Sequence, residues 1–335
     1  MLATAVTAMP TVEIASGVHM PMVSLGACSP LAARPASAHA LLIACEASLP
    51  PPRYLPPGTW QYNSSLAQSV VSLGLKLGFT HIDTANDYKN QDGVGRALAR
   101  HSRDSYFVTT KVPPQTFLSK AYQGTSKDLD ENMQLLGLDY VDLVLLHFPP
   151  LTQSCSAMQE AWRAMEDFLA AKRTRAIGVS NYCPSTLDCL LAKATVVPAV
   201  NQVMWHVGMG TDPIALRSYC AAKNITLQAY SPLGDGTSEL VSGALVSGIG
   251  SRHNKSGAQV SLRWVAQHGV PLSTKAKAEK CAPPLVTVLT RQGHSGRYSR
   301  RAGTVGTAGT AGAVGTGPRR RIPQPSPCRA ASACA

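Results

Sequence analysis

Short apolar runs alternate with longer amphipathic segments along most of the chain. The runs are rich in β-branched residues, as is typical of strands buried on both faces. They cover Met22–Leu25, His81–Thr84, Tyr106–Lys111, Val141–Leu146, Ala176–Val179, Ala199–Val203, Thr226–Ala229 and Leu272–Thr274. The segments between them have helical periodicity, most clearly Ser65–Leu77, Ser126–Leu136, Gln159–Lys172 and Ser256–Gln267. Eight strands separated by helices predict an α/β protein with a closed (β/α)8 TIM barrel.

The residues before the first of these strands have a different pattern. Thr11–Met20 alternates polar and apolar positions around Ser16-Gly17, which predicts a β-hairpin. A hairpin that precedes the first barrel strand is expected to close the bottom of the barrel.

The alternating pattern stops in two segments. Residues 27–57 contain seven prolines, and residues 282–335 contain a Gly/Thr/Ala/Val repeat and a run of arginines at 319–321. Such compositions bury too little apolar surface to offset chain entropy. We therefore predict a barrel over residues 1–281, interrupted by an irregular insertion at 27–57 in the first βα loop. Residues 282–335 are predicted to be a disordered, low-complexity basic tail that replaces the last outer helix.

Charge and cysteine content add expectations about partners and location. The net charge is +12, but eight arginines and no acidic residue or lysine lie in 282–335, so most of the excess belongs to the tail. A solvated coil is favoured there over a nucleic-acid-binding segment, and no nucleic-acid partner is expected. No apolar run approaches ~20 residues, so no membrane span is expected.

The nine cysteines show no regular spacing and no CxxC pair. We therefore expect neither a metal site nor a disulfide framework, and we expect reduced thiols. The first 17 residues lack the basic start and apolar block of a secretory signal, which favours the cytoplasm.

Four polar residues fall where predicted strands end. Asp83 closes one strand, Tyr88 follows five residues later, Lys111 ends another strand, and His147 follows a third. Active sites of such barrels lie at this end of the strands. A lysine ammonium stabilises a neighbouring phenolate and lowers the pKa of the phenol, and a tyrosine tuned in this way can protonate an alkoxide. Each residue alone has an ordinary structural role, but the four together favour an acid catalyst.

Eight stretches of the chain resemble the aldo-keto reductases. They are Gly78–Ala85, Tyr88–Asn90, Thr110-Lys111, Leu138–Leu143, His147–Pro149, Ile177–Tyr182, Asn201-Gln202 and Tyr230–Gly234, in the order found in the family. The resemblance implies a monomeric enzyme that uses NADPH to reduce a small aldehyde or ketone to an alcohol. Two alternatives stay open: a cofactor-binding protein with little turnover, and an unstable truncated reductase without activity.

The resemblance also implies roles for the matched residues. Tyr88 would be the general acid, Lys111 and Asp83 would tune it, and His147 would orient the substrate. The implied cofactor-binding residues are Gly58, Thr59, Trp60, Asp83, Ser180, Asn181, Gln202, Tyr230, Ser231, Leu233 and Lys275. Those implied to line the substrate pocket are Trp60, Tyr88, His147 and Phe148.

Within the cofactor set, the resemblance assigns each group to one part of NADPH. Ser180, Asn181 and Gln202 would hold the nicotinamide carboxamide, and Tyr230 would stack on the ring. Ser231 and Leu233 would line the path of the pyrophosphate. Lys275 would meet the 2′-phosphate, which favours NADPH over NADH. A different motif, Gly93-x-Gly95, lacks a third glycine and a preceding strand, so we interpret it as helix packing rather than a nucleotide-binding loop.

Overall fold

A computed structural model describes residues 9–26, 62–115, 118–150, 152, 154–234 and 238–274. The strands are β1 Thr11–Ala15, β2 Val18–Pro21, β3 Val23–Gly26, β4 His81–Asp83, β5 Phe107–Val112, β6 Val141–Leu146, β7 Thr174–Ser180, β8 Val200–Met204, β9 Thr226–Tyr230 and β10 Leu272–Thr274. The helices of these ranges are α1 Ser64–Lys76, α2 Gln91–Leu98, α3 Leu118–Leu136, α4 Cys155–Ala170, α5 Pro184–Leu191, α6 Leu216–Ala222, α7 Ser238–Val241, α8 Ala244–Ser251 and α9 Gly257–Gln267.

Eight of the strands form a closed parallel barrel, as predicted. Their order around the barrel is β10-β3-β4-β5-β6-β7-β8-β9, and β10 closes the ring by pairing with both β3 and β9. All residues of β5 and β6 are buried, because the helices cover the outside and side chains fill the inside. The fold therefore presents one set of strand carboxyl ends as a single rim.

The N-terminal hairpin closes the opposite end of the barrel, as its sequence pattern predicts. β1 and β2 pair antiparallel, with Gly17 in the turn at φ 69°. Its apolar face, formed by Ile14, Val18 and Met20, is buried. That face belongs to one cluster with Phe107, Leu143, Leu145, Ala176, Ala199 and Val200 from the barrel strands. The hairpin thus supplies the apolar floor beneath the barrel.

The helices differ most from the sequence-based expectation at their boundaries. α3 begins at Leu118, eight residues before the predicted Ser126. Gly124 obscures the pattern there because glycine is a weak helix former. The short helices α5 and α6 were not predicted, since so few turns give too little periodicity. Among the described residues, no helix has the length and apolar character to cross a bilayer.

Two of the predicted segments, the insertion at 27–57 and the tail at 282–335, lie outside the described residues. The prediction that the tail replaces the last outer helix therefore stays a prediction. Residues 27–63 separate β3 from α1, which is the first βα connection of the barrel.

The expectation of reduced thiols is wrong for Cys155 and Cys189. A disulfide joins Cys155, at the start of α4, to Cys189 in α5, with the two Cα atoms 5.5 Å apart. The residues are 34 positions apart in the chain, so only the packing of the two helices brings them together. No metal-binding cluster of acidic, histidine and cysteine side chains occurs in the part of the chain that is described.

Gly93 and Gly95 lie inside α2 and allow close helix packing, which confirms the interpretation of this motif. A Cβ on Gly93 would lie 1.9 Å from the backbone oxygen of Ser64, and one on Gly95 would lie 2.5 Å from that of Leu136. Neither contact can be relieved by rotating a side chain.

Substitution of Gly93 by alanine is therefore expected to lower the free energy of unfolding by about 1–3 kcal/mol, as overpacking does. Gly248 in α8 is the matched control, since nothing lies within 4 Å of its Cβ position. There, alanine is expected to stabilise the protein by about 0.5–1 kcal/mol through helix propensity. Urea denaturation measures both, and equal stability of the two variants would contradict the packing argument.

Candidate active site

The four residues singled out at strand ends do meet at one rim. Asp83 is the last residue of β4, Tyr88 ends a 3-10 turn at Asn86–Tyr88, and Lys111 is near the end of β5. His147 follows β6 directly. Because β4, β5 and β6 are consecutive parallel neighbours, their carboxyl ends bring these side chains together.

A buried ion pair forms the centre of this group. Nζ of Lys111 pairs directly with Oδ1 of Asp83, and the side chains are only 2% and 3% exposed. The same Nζ donates a hydrogen bond to the backbone oxygen of Thr84 at 3.1 Å and lies 3.4 Å from the hydroxyl of Tyr88. Buried charges need such partners, since removal from water is costly. The ammonium is thus fixed beside the one phenol of the group.

Two glutamines fix the carboxylate from its other side. Nε2 of Gln202 donates to Oδ2 of Asp83 at 2.6 Å and to Oε1 of Gln228 at 2.9 Å. Gln228 was not identified from the sequence. The available signal was a polar residue in the middle of the apolar strand β9, where it is fully buried. Its side chain orients Gln202 and thereby Asp83.

His147 lies on the other side of Tyr88. The two rings meet edge to face with centroids 5.7 Å apart, and Phe148 stacks on the imidazole at 4.6 Å. Burial lowers the pKa of His147 below its ordinary value, and the nearby Lys111 acts in the same direction. Nδ1 of His147 lies 3.1 Å from a carboxylate oxygen of Asp87, which opposes that shift.

Asp87 is a second residue that the sequence argument missed. It directly precedes Tyr88, so the available signal was an acidic side chain beside the proposed acid.

A second set of polar groups lies at the ends of β7, β8 and β9. Oγ of Ser180 donates to the backbone oxygen of Gln202 at 2.8 Å, and Nδ2 of Asn181 donates to Oγ of Ser180 at 3.1 Å. The hydroxyl of Tyr230 donates to Oδ1 of Asn181 at 2.8 Å. Asn181 has a φ of 65°, a left-handed conformation that asparagine tolerates better than most residues. These bonds hold Tyr230 half-buried at the rim.

Nδ2 of Asn181 also donates to the backbone oxygen of His147 at 3.0 Å. This bond joins the second set of polar groups to the first, so both belong to one site.

The other implied cofactor residues divide into two groups. Ser231 and Leu233 lie in the turn that follows β9, and both are half-buried. Gly58, Thr59, Trp60 and Lys275 lie outside the described residues, so the predicted 2′-phosphate contact and the pocket wall at Trp60 stay predictions.

The donors and acceptors of this second set suit a nicotinamide carboxamide. The Gln202 side chain makes two hydrogen bonds with the described residues, and Nε2 donates both of them. Oε1 therefore has no donor among the described residues. A carboxamide N–H is the complementary donor for this oxygen, and Oγ of Ser180 offers a further polar contact. The aromatic face of Tyr230 is of the type that stacks on a flat heteroaromatic ring. The residues present therefore fit the group that the family resemblance implies.

Comparison with known proteins agrees with this architecture. Residues 55–292 match the model of the aldo/keto reductase family, and this chain belongs to that family. Glyoxal reductase of Bacillus subtilis is 37% identical over 219 residues, which are 65% of this chain and 75% of the relative. The 9,11-endoperoxide prostaglandin H2 reductase of Trypanosoma cruzi is 35% identical over 217 residues, 64% of this chain and 74% of the relative.

A solved structure gives the same result for the fold. The aldo/keto reductase of Brucella melitensis superposes with a TM-score of 0.68 at 29% identity, covering 86% of this chain and 96% of the other. The protein is thus an oxidoreductase of the aldo/keto reductase family with a TIM-barrel fold.

Proposed function

We propose that this protein reduces aldehydes or ketones to alcohols with NADPH, with Tyr88 as the general acid. The observation that carries the proposal is the group formed by Tyr88, Lys111, Asp83 and His147 at one rim of the barrel. Aldo-keto reductases use NADP(H), and the polar set around Gln202 suits a nicotinamide. When bound, the cofactor supplies the hydride that attacks the carbonyl carbon.

The side chains of the site divide the remaining work. The substrate oxygen would lie between the hydroxyl of Tyr88 and the imidazole of His147, which orients it. As negative charge develops on that oxygen, the Tyr88 hydroxyl gives it a proton and becomes a phenolate. The ammonium of Lys111 lies 3.4 Å from this hydroxyl and stabilises the phenolate charge. Asp83 keeps this ammonium in place, and Gln202 in turn keeps the carboxylate of Asp83 in place.

An aromatic side chain and a similar protein suggest the kind of substrate. Phe148 stacks on His147 and gives the pocket an apolar side. The Bacillus subtilis relative is named for glyoxal, a small dialdehyde, which supports small carbonyl compounds as the substrate class.

The proposal also covers the organisation and setting of the chain. The catalytic barrel would occupy residues 1–281, with 27–57 inserted in the first βα loop and 282–335 as a separate tail. The protein would act as a cytoplasmic monomer without a nucleic-acid partner. Lys275 would favour NADPH over NADH through the 2′-phosphate.

The purified full-length protein is expected to consume NADPH when supplied with glyoxal or an aromatic aldehyde. Loss of NADPH absorbance measures turnover, and quenching of tryptophan fluorescence by NADPH measures binding. A lower KM for NADPH than for NADH is expected because of Lys275. Binding without turnover would instead support a cofactor-binding protein, and a folded protein that neither binds nor turns over would refute the proposal.

A further inference from the structure

Asp87 faces the histidine of the site. Its Oδ2 lies 3.1 Å from Nδ1 of His147, and the two side chains are 41% and 11% exposed, respectively. The pair therefore lies at the mouth of the site, on the side of His147 away from the core. No part of the proton transfer from Tyr88 uses this carboxylate.

The chemistry of the pair restricts which form of His147 can act. An ionised carboxylate only accepts hydrogen bonds, so Nδ1 must carry the hydrogen that lies between the two groups. In a neutral imidazole the other nitrogen, Nε2, is then bare and can only accept. A substrate carbonyl oxygen is also only an acceptor. Neutral His147 held in this way cannot donate to the carbonyl.

The imidazolium form removes this conflict. With hydrogens on both nitrogens, His147 donates to Asp87 through Nδ1 and to a carbonyl oxygen through Nε2. We propose that Asp87 is a positioning residue that fixes His147 as the Nδ1–H form, so that His147 orients the carbonyl only when protonated. This inference rests on the proposed function, in which His147 orients the substrate.

The other charged and titratable groups around His147 influence the pH at which it becomes protonated. Lys111 from β5 lowers the pKa of His147, while Asp83 from β4 raises it; Tyr88 meets the ring by its edge. Burial is the largest influence, and it places the pKa of His147 below its ordinary value of 6.5. Reduction is therefore expected to be fastest in mildly acidic solution and to decline as pH rises through that pKa.

Asp87→Asn changes which form of His147 can donate to the carbonyl, and it keeps a hydrogen-bonding side chain at position 87. An asparagine amide can donate to a bare Nδ1, so a neutral His147 with hydrogen on Nε2 becomes available. In the wild type, kcat/KM for an aldehyde is expected to fall about tenfold per pH unit above the His147 titration. In Asp87→Asn this decline is expected to flatten, and the pKa of His147 to fall because the imidazolium loses its carboxylate partner.

Two measurements test the inference, with Asp104→Asn as the matched control. Asp104 is an exposed carboxylate in the turn before β5, at the other end of the barrel, so its removal is expected to leave the pH profile unchanged. In protein labelled with ¹⁵N-histidine, imidazole shifts report which nitrogen is protonated, and His147→Gln identifies the His147 signals. The expected neutral form is Nδ1–H in the wild type and Nε2–H in Asp87→Asn.

The outcomes separate this inference from the proposed function. An Nε2–H form in the wild type, or the same pH profile in wild type and Asp87→Asn, would overturn the role of Asp87 while reductase activity remained. Absence of turnover in a folded, cofactor-binding wild type would refute the proposed function, and with it the substrate-orienting part of this inference. The nitrogen shifts need no turnover, so they test the tautomer in either case.

Discussion

Replacement of Tyr88 by phenylalanine is expected to lower kcat/KM for aldehyde reduction by about 10³-fold, within the range typical of general acids. The substitution removes only the hydroxyl that lies 3.4 Å from Nζ of Lys111 and keeps the ring that meets His147 edge to face. The shape of the pocket is thus preserved, while the developing alkoxide loses its proton donor. Rates of NADPH consumption under saturating cofactor measure the effect.

The matched control for this experiment is Tyr122→Phe. The Tyr122 hydroxyl donates to Asp167 on the outer surface of the barrel, between α3 and α4. Its loss is expected to leave turnover unchanged. Undiminished turnover in Tyr88→Phe would remove Tyr88 from the mechanism.

Replacement of Lys111 by methionine is expected to lower the free energy of unfolding by about 3–5 kcal/mol, in addition to lost activity. The cause is the carboxylate of Asp83, which is 3% exposed and would keep Gln202 as a hydrogen-bond donor but lose its only cationic partner among the described residues. A single buried charge without its counter-charge is more costly than no charge at all. Urea denaturation, with circular dichroism as the signal, measures the loss.

The double variant Lys111→Met/Asp83→Asn separates the charge effect from the loss of packing. It is expected to recover a substantial part of the stability, because no isolated charge is left inside the barrel. Lys120→Met, at an exposed position in α3, is the control and is expected to change stability by less than about 0.5 kcal/mol. Equal stability of Lys111→Met and the double variant would contradict the claim that the isolated Asp83 charge causes the loss.

Much of the fold could be predicted because the barrel strands are continuous apolar runs. Val141–Leu146 and Leu272–Thr274 have the predicted bounds, and the hairpin at Ser16-Gly17 forms as expected. A strand whose two faces are both covered must be apolar throughout, so its sequence is distinctive. Helices as short as α5 lack this advantage, since their formation depends on packing against the barrel more than on their own pattern.

The site was predictable only in part, for a related reason. Asp83, Tyr88, Lys111 and His147 could be found because strand order alone places them at one rim. The contact of Gln228 with Gln202, the pairing of Asp87 with His147 and the disulfide at Cys155 depend on side-chain directions between separate elements. Sequence spacing carries no information on such directions. Gln202 was expected to serve the cofactor, and the structure adds a bond from it to Asp83.

The hairpin at the barrel floor has a consequence for the newly made protein on the ribosome. β1 and β2 are synthesised well before β5 to β8, which supply the side chains that cover Ile14, Val18 and Met20. Until then the nascent chain carries an uncovered apolar ribbon, a surface that favours association with chaperones or other chains. β3 lacks one of its two neighbouring strands for longer still, because that neighbour, β10, is the last barrel strand in the sequence. The barrel floor and the closure of the ring therefore depend on contacts distant in sequence, which form more slowly than local ones.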